Sequence, residues 1–172
     1  HIALVPHGGY GRRDVAPFSD VDLMLLHHPA VESDVAALAQ QLVRDLSDVG
    51  LDLGFSLRTS RQACQLSATD PIIFTSLVES RFLAGSETLF AKFQQRFRRL
   101  GGWRKPLIRA IEESRRQERG KFGETVYLLE PNLKRSRGGL RDIHLLRWVG
   151  FARDVKCRTW CSIVVMAGRR TP

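Results

Sequence analysis

The stretch that decides the fold is Gly8-Gly9-Tyr10-Gly11-Arg12-Arg13, followed by Ser19-Asp20-Val21-Asp22-Leu23-Met24-Leu25-Leu26. A glycine turn follows the apolar run Ile2-Ala3-Leu4-Val5, and a Ser-Asp-x-Asp opens a second apolar run. Two carboxylates two residues apart on a strand point to the same face. Like charges held side by side repel, so the pair is costly unless a cation sits between them. Carboxylate oxygens completed by substrate phosphates suit Mg²⁺. Glycines let backbone N–H groups approach a phosphate closely. Taken singly, a glycine cluster is a turn and an Asp-x-Asp at a strand start is solvated. Their conjunction points to a metal–nucleoside triphosphate and to transfer of its nucleotidyl group.

Two rival phosphate motifs fail. No G-x-x-x-x-G-K-[ST] occurs, which excludes a P-loop. Gly9-Tyr10-Gly11 lacks a third glycine at the dinucleotide-binding spacing, and no long helix starts there before the Asp pair.

Outward from the motif, the pattern predicts an α/β start and a helical finish. Residues 2–6 read as a strand, 11–16 as a helical turn after the glycine loop, and 21–27 as a strand buried on both faces. Val35, Leu38, Ala39, Leu42, Val43, Leu46 and Val49 recur at helical steps and stop at Gly50. Residues 51–58 read as a third strand. Asp70-Pro71 supplies an N-cap and a first-turn proline for a helix to about Leu83. Further helices are expected from Ser86 to Gly101-Gly102, from Pro106 to about Arg119, and from Gly139 to about Asp154, with a loop over 130–139.

No run of 18 apolar residues occurs, so no transmembrane helix is expected. Cys64, Cys157 and Cys161 make no disulfide framework, and Cys157-x-x-x-Cys161 lacks zinc spacing. A reducing, cytoplasmic setting is expected. Charge is segregated. Residues 1–91 hold 6 Lys/Arg against 11 Asp/Glu, a net of −5; residues 92–121 hold 11 against 3, a net of +8; residues 122–172 hold 10 against 4, a net of +6. A basic half facing an acidic one draws triphosphate into the cleft between them. The cations of 92–121 have little aromatic interleaving and read as a solvated helix face, so nucleic acid is not an expected partner.

Gly8-Gly9-Tyr10-Gly11-Arg12-Arg13 through Pro17-Phe18-Ser19-Asp20-Val21-Asp22 resembles the polymerase-β-type nucleotidyltransferase signature. More narrowly, it resembles the N-terminal domain of the bifunctional uridylyltransferase/uridylyl-removing enzymes that modify the nitrogen-regulatory protein PII. Three further segments carry the likeness. Gly50-Leu51-Asp52-Leu53-Gly54-Phe55-Ser56-Leu57-Arg58-Thr59 resembles that family's third strand. Leu77-Val78-Glu79-Ser80-Arg81-Phe82-Leu83-Ala84-Gly85 resembles its following helix. Glu130-Pro131-Asn132-Leu133-Lys134 with Gly138-Gly139-Leu140-Arg141-Asp142 resembles a later block that ordinary nucleotidyltransferases lack. The likeness runs from about residue 3 to about residue 154.

The resemblance implies an α+β fold: a polymerase-β-type core with a small mixed sheet, followed by a helical domain. The expected division is a core over 1–66, cut just before its first strand, a helical region over 67–155, and a divergent tail over 156–172. It implies UTP as substrate, Mg²⁺ as cofactor, and a PII-type signalling protein as acceptor, with no membrane partner. Asp20 and Asp22 are the expected metal ligands, and Asp52 the candidate third carboxylate. Gly8, Gly9, Gly11 and Ser19 are expected around the phosphates, with Arg12 or Arg13 adding charge. Gly9 is the glycine expected to tolerate no side chain. His7 is expected to pack rather than to act as a base. Where the family has His after the strand-three glycine, this chain has Phe55. Arg141 and Asp142 are expected either to form an ion pair at a helix start or to line the protein-substrate side of the cleft. At 172 residues the chain has no room for the hydrolase and ligand-sensing domains of the long family members, so uridylyl removal and glutamine sensing are not expected of it.

Overall fold

The computed structural model describes residues 1–16, 18–99, 104–122 and 132–153. Strand β1 (Ile2–Pro6) leads into a short helix α1 (Gly8–Arg12), then strand β2 (Val21–His27). A 3₁₀ turn (Pro29–Val31) starts helix α2 (Glu32–Asp48), and strand β3 (Leu53–Thr59) follows. Helices α3 (Ser60–Thr69) and α4 (Pro71–Val78), the two-residue strand β4 (Ala84–Gly85), and helices α5 (Glu87–Arg98), α6 (Arg104–Phe122) and α7 (Leu140–Arg153) complete the order.

The sheet runs β3-β2-β1-β4. β1 pairs antiparallel with β2 and β4, and β2 pairs parallel with β3. The sheet is therefore mixed, and the expected α+β class holds. Strand alternation sorts two cores. Leu25 with Ile2, Leu4, Phe55 and Leu57 packs under Val35 and Ala39 of α2. Ala3, Val5, Met24 and Leu26 face the other way, into a larger cluster holding Phe74, Leu77, Phe90, Phe93, Phe97, Ile111 and Trp148. That cluster joins the strands to α3 through α7 in one continuous core. β2 is covered on both faces, as its unbroken apolar run predicts.

Three elements differ from the sequence expectation. The glycine motif is not a loop ahead of a helix; it is the helix, since α1 begins at Gly8. Helix α3 was not expected, although Thr59 and Gln62 form a capping box at its start. Helix α4 stops at Val78 instead of near Leu83. The chain then runs extended along β1, with Arg81, Leu83 and Ser86 amides donating to the carbonyls of Pro6 (3.1 Å), Leu4 (3.1 Å) and Ile2 (2.7 Å). The expected end of α2 is correct: Gly50 has φ +85°, and the Leu51 amide folds back on Leu46 O at 3.2 Å. The Gly101-Gly102 stop, Glu130-Pro131, and the 156–172 tail with Cys157 and Cys161 lie outside the described residues. Cys64 is buried in the larger core, where burial pushes its thiol up to about 11. Among the described residues, no helix is long and apolar enough to cross a membrane.

Candidate active site

Asp22 is the second residue of β2 and lies on the sheet face that turns toward the helices. Its carboxylate sits between two glycines. A Cβ on Gly54, its partner across the parallel ladder, would lie 2.7 Å from Oδ1. A Cβ on Gly8 would collide with Oδ2. Gly8 also has φ +56°, a conformation that L side chains rarely adopt. Both glycines are therefore spaces for the acid. Gly9 has no such constraint: a Cβ there would meet only Asp14 O at 3.8 Å and the Arg12 guanidinium at 3.9 Å. The steric demand falls on Gly8 and Gly11, not on Gly9. Gly11 is buried, with the Glu79 carbonyl where its side chain would be.

The first-turn amides of a helix lack intrahelical acceptors. In α1 these belong to the glycine motif, with Gly8 seated against Asp22. The motif closes through the Asp14 amide on Gly9 O (3.1 Å) and through Arg13 at φ +67°. A second turn, with the Ser19 amide on Ala16 O at 3.1 Å, delivers the chain to β2. Asp20 is exposed and Ser19 half-buried.

Electrostatics mark Asp22 out. Burial raises its pKa above the ordinary carboxylate value, and the charge of Asp20 raises it further. Lys134, Arg12 and Arg141 pull the other way without cancelling the rise. These cations come from three places: α1, the 132–139 loop, and the start of α7. The acidic first half and the basic second half thus meet at this carboxylate. Arg12 is buried rather than surface-solvated, its side chain 6% exposed and its Nε 3.4 Å from Asp14.

Asp52 is placed differently. It is exposed, one step before the paired residues Val21 and Leu53, and its carbonyl accepts from the Val21 amide at 2.8 Å. The position beside Asp22 belongs to Gly54. Among the described residues, no three His, Cys, Asp or Glu side chains gather closely enough to hold a metal ion. Asp20 and Asp22 are the acids the structure brings together.

His7 contacts Ser76 Oγ through Nδ1 at 2.7 Å, and burial, with the charge of Arg58, lowers its pKa to about 4. It is a neutral tie between the end of β1 and α4, in keeping with the packing role expected of it. Phe55 points into the α2 core, on the opposite sheet face from Asp22. The departure from histidine at this position therefore leaves the Asp22 face unchanged.

Two buried polar groups that support the site carried no sequence expectation. Arg115 is 4% exposed. It donates to Asp142 (2.8 Å), Glu118 (3.0 Å), and the carbonyls of Arg135 (2.8 Å) and Ser136 (3.0 Å). It thereby fixes the loop that carries Lys134. Glu79 is 5% exposed, accepts from Trp148 Nε1 at 3.1 Å, and pairs with Arg147 at 3.0 Å. Burial raises its pKa, against the pull of Arg147. Arg141 and Asp142 do not pair with each other as expected. Asp142 binds Arg115 and Arg119, while Arg141 turns toward Glu118, 3.8 Å away, and over the Trp148 ring.

Comparison with known proteins gives one consistent result. The family model described as GlnD PII-uridylyltransferase matches residues 107–166. The chain is 38% identical over 151 residues to a bifunctional uridylyltransferase/uridylyl-removing enzyme of Burkholderia orbicola (strain AU 1054), covering 88% of this chain and 18% of the relative. A protein of the same description from Aromatoleum aromaticum is 38% identical over 159 residues, covering 92% of this chain and 18% of that protein. One from Photobacterium profundum is 37% identical over 149 residues, covering 86% and 17%. The chain thus spans less than a fifth of the length of these curated relatives.

Proposed function

We propose, for a chain that belongs to the family of bifunctional uridylyltransferase/uridylyl-removing enzymes, that the cleft at Asp22 is a nucleotidyl-transfer site taking UMP from UTP to a tyrosine of a PII-type protein. The observation that carries this reading is the setting of Asp22: a carboxylate given room by two glycines, crowded by a second carboxylate, and faced by three cations. Such an arrangement stores unfavourable charge that a bound metal–triphosphate relieves.

The donor set fits Mg²⁺: hard oxygens from Asp20 and Asp22, with room for phosphate oxygens and water. When bound, Mg²⁺ neutralises phosphate charge and favours departure of pyrophosphate. The chain's own groups do the rest. The amides of Gly8 and Gly9 meet phosphate oxygens at the start of α1. Ser19 adds a hydroxyl donor. Lys134 and Arg141 bring positive charge to the same cleft, and Arg12 acts from beneath it. Gly11 keeps α1 close to Glu79 so that these amides stay in place. Localisation in the cytoplasm belongs to the same proposal, as does Asp52 as a third carboxylate that would supplement Asp20 and Asp22. The absence of a three-acid cluster among the described residues favours one second reading, a nucleotide-binding module that does not transfer.

One experiment separates the two. The chain is mixed with Mg²⁺, UTP and a PII-type protein, and the acceptor is weighed by mass spectrometry while the chain's melting is followed. The proposal expects a rise in melting temperature that needs both Mg²⁺ and UTP, and an acceptor heavier by one uridylyl group. A melting shift without acceptor modification supports the binding module. No shift in a folded sample overturns both. ATP and CTP arms decide the base.

A further inference from the structure

At the other end of the sheet from Asp22 lies a cavity of about 520 Å³, within the size range of small-molecule sites. His27 at its edge is five residues along β2 from Asp22, about 17 Å at 3.3 Å per residue. Arg61, Lys92, Arg96 and Arg99 line it, and among the described residues no Asp or Glu does. Lys92, Arg96 and Arg99 stand at i, i+4 and i+7, on one side of α5, where like charges repel. Arg61 closes on them from the first turn of α3. None of the four cations is in an ion pair among the described residues. Ser60, also in the lining, has a buried hydroxyl oxygen without a hydrogen-bond partner. Four convergent cations, no acid and an unspent donor define a site complementary to a compact polyanion. Solvation alone gives no reason for them to converge on one concavity.

We propose that this cavity binds a small phosphate-bearing anion, an inorganic oligophosphate or the phosphate tail of a nucleotide, independently of the Asp20–Asp22 cleft. The test is calorimetric titration of the 172-residue chain with inorganic pyrophosphate in EDTA, at constant ionic strength. Without metal, the Asp20–Asp22 cleft repels the probe. Saturable binding is expected in the unaltered chain. The double variant Lys92→Glu/Arg96→Glu is expected to bind about tenfold more weakly or worse. Arg61→Ala, a milder change, is expected to weaken binding less, with an unaltered circular dichroism spectrum. An ADP arm distinguishes the sources: ADP binding much tighter than pyrophosphate assigns a nucleoside to the wall at Leu89 and Pro29, and equal affinities assign the oligophosphate. The proposal is overturned by no saturable binding at millimolar pyrophosphate. Equal affinity in the folded double variant also overturns it.

Discussion

Asp22 and Asp142 are the same residue type in opposite circumstances. Burial raises both. Around Asp142, hydrogen bonds from Arg115, Arg119 and the Gly138 amide outweigh that penalty and hold the carboxyl down at about 2. Around Asp22, no side chain completes a hydrogen bond among the described residues, Asp20 adds its own repulsion, and the pKa stays raised. One acid is satisfied by the fold and the other is kept waiting. Under the proposed function, this difference separates an architectural carboxylate from one that serves a ligand.

Breaking the satisfied side has the largest effect. Arg115→Ala removes a buried cation and leaves two carbonyls and two carboxylates short of a partner. A loss of about 3–5 kcal/mol in denaturant unfolding is expected. On the waiting side, Asp22→Ala should cut nucleotidyl transfer roughly 100-fold or more, about 3 kcal/mol of transition-state stabilisation, without lowering the melting temperature. Retained transfer by Asp22→Ala would remove the acid from the site.

Asp142→Asn should cost about 1–2 kcal/mol, given partial solvent screening of its ion pairs. The pH dependence follows the same sign. A carboxyl lowered from 3.8 to about 2 contributes stability that is present above pH 3.8 and lost as pH falls toward 2. Acid unfolding should therefore lose its step in that window in Asp142→Asn. Asp22 has the reverse sign, since a raised pKa means its ionised form opposes folding. Asp22→Asn should melt slightly higher than the unaltered chain at neutral pH, by less than about 1 kcal/mol. A lower melting point would place Asp22 among the architectural acids. The smallest effect belongs to Gly9→Ala, within about 0.5 kcal/mol in stability, whereas Gly8→Ala should both destabilise and disturb Asp22.

The two sides were unequally legible in the sequence. The closeness of Asp20 and Asp22 is legible from their spacing alone, because it is a local property of the chain. The glycine motif is legible as a cluster in the sequence, but which of its glycines is sterically critical is not. Gly8 is constrained by a carboxylate on another strand, and only the β2 register reveals that. Helix α3 has a local signal in Thr59-x-x-Gln62, a capping box short enough to be hidden by the strand pattern before it. The early end of α4 had none: from Arg81 the chain runs along β1, whose carbonyls accept the amides of Arg81, Leu83 and Ser86. Arg115 resembled any other cation of a basic helix. Its four partners lie 3 to 27 residues away and converge only after folding.

The contact between Gly11 and the Glu79 carbonyl has a mechanical meaning. Glu79 is gripped at its carboxylate by Trp148 and Arg147 of α7, while its main chain bears on α1. One residue thus acts as a strut between the glycine helix and the last helix described. The glycine helix and α7 thus share one buried support, and Gly11, having no side chain, lets α1 seat directly on the Glu79 carbonyl.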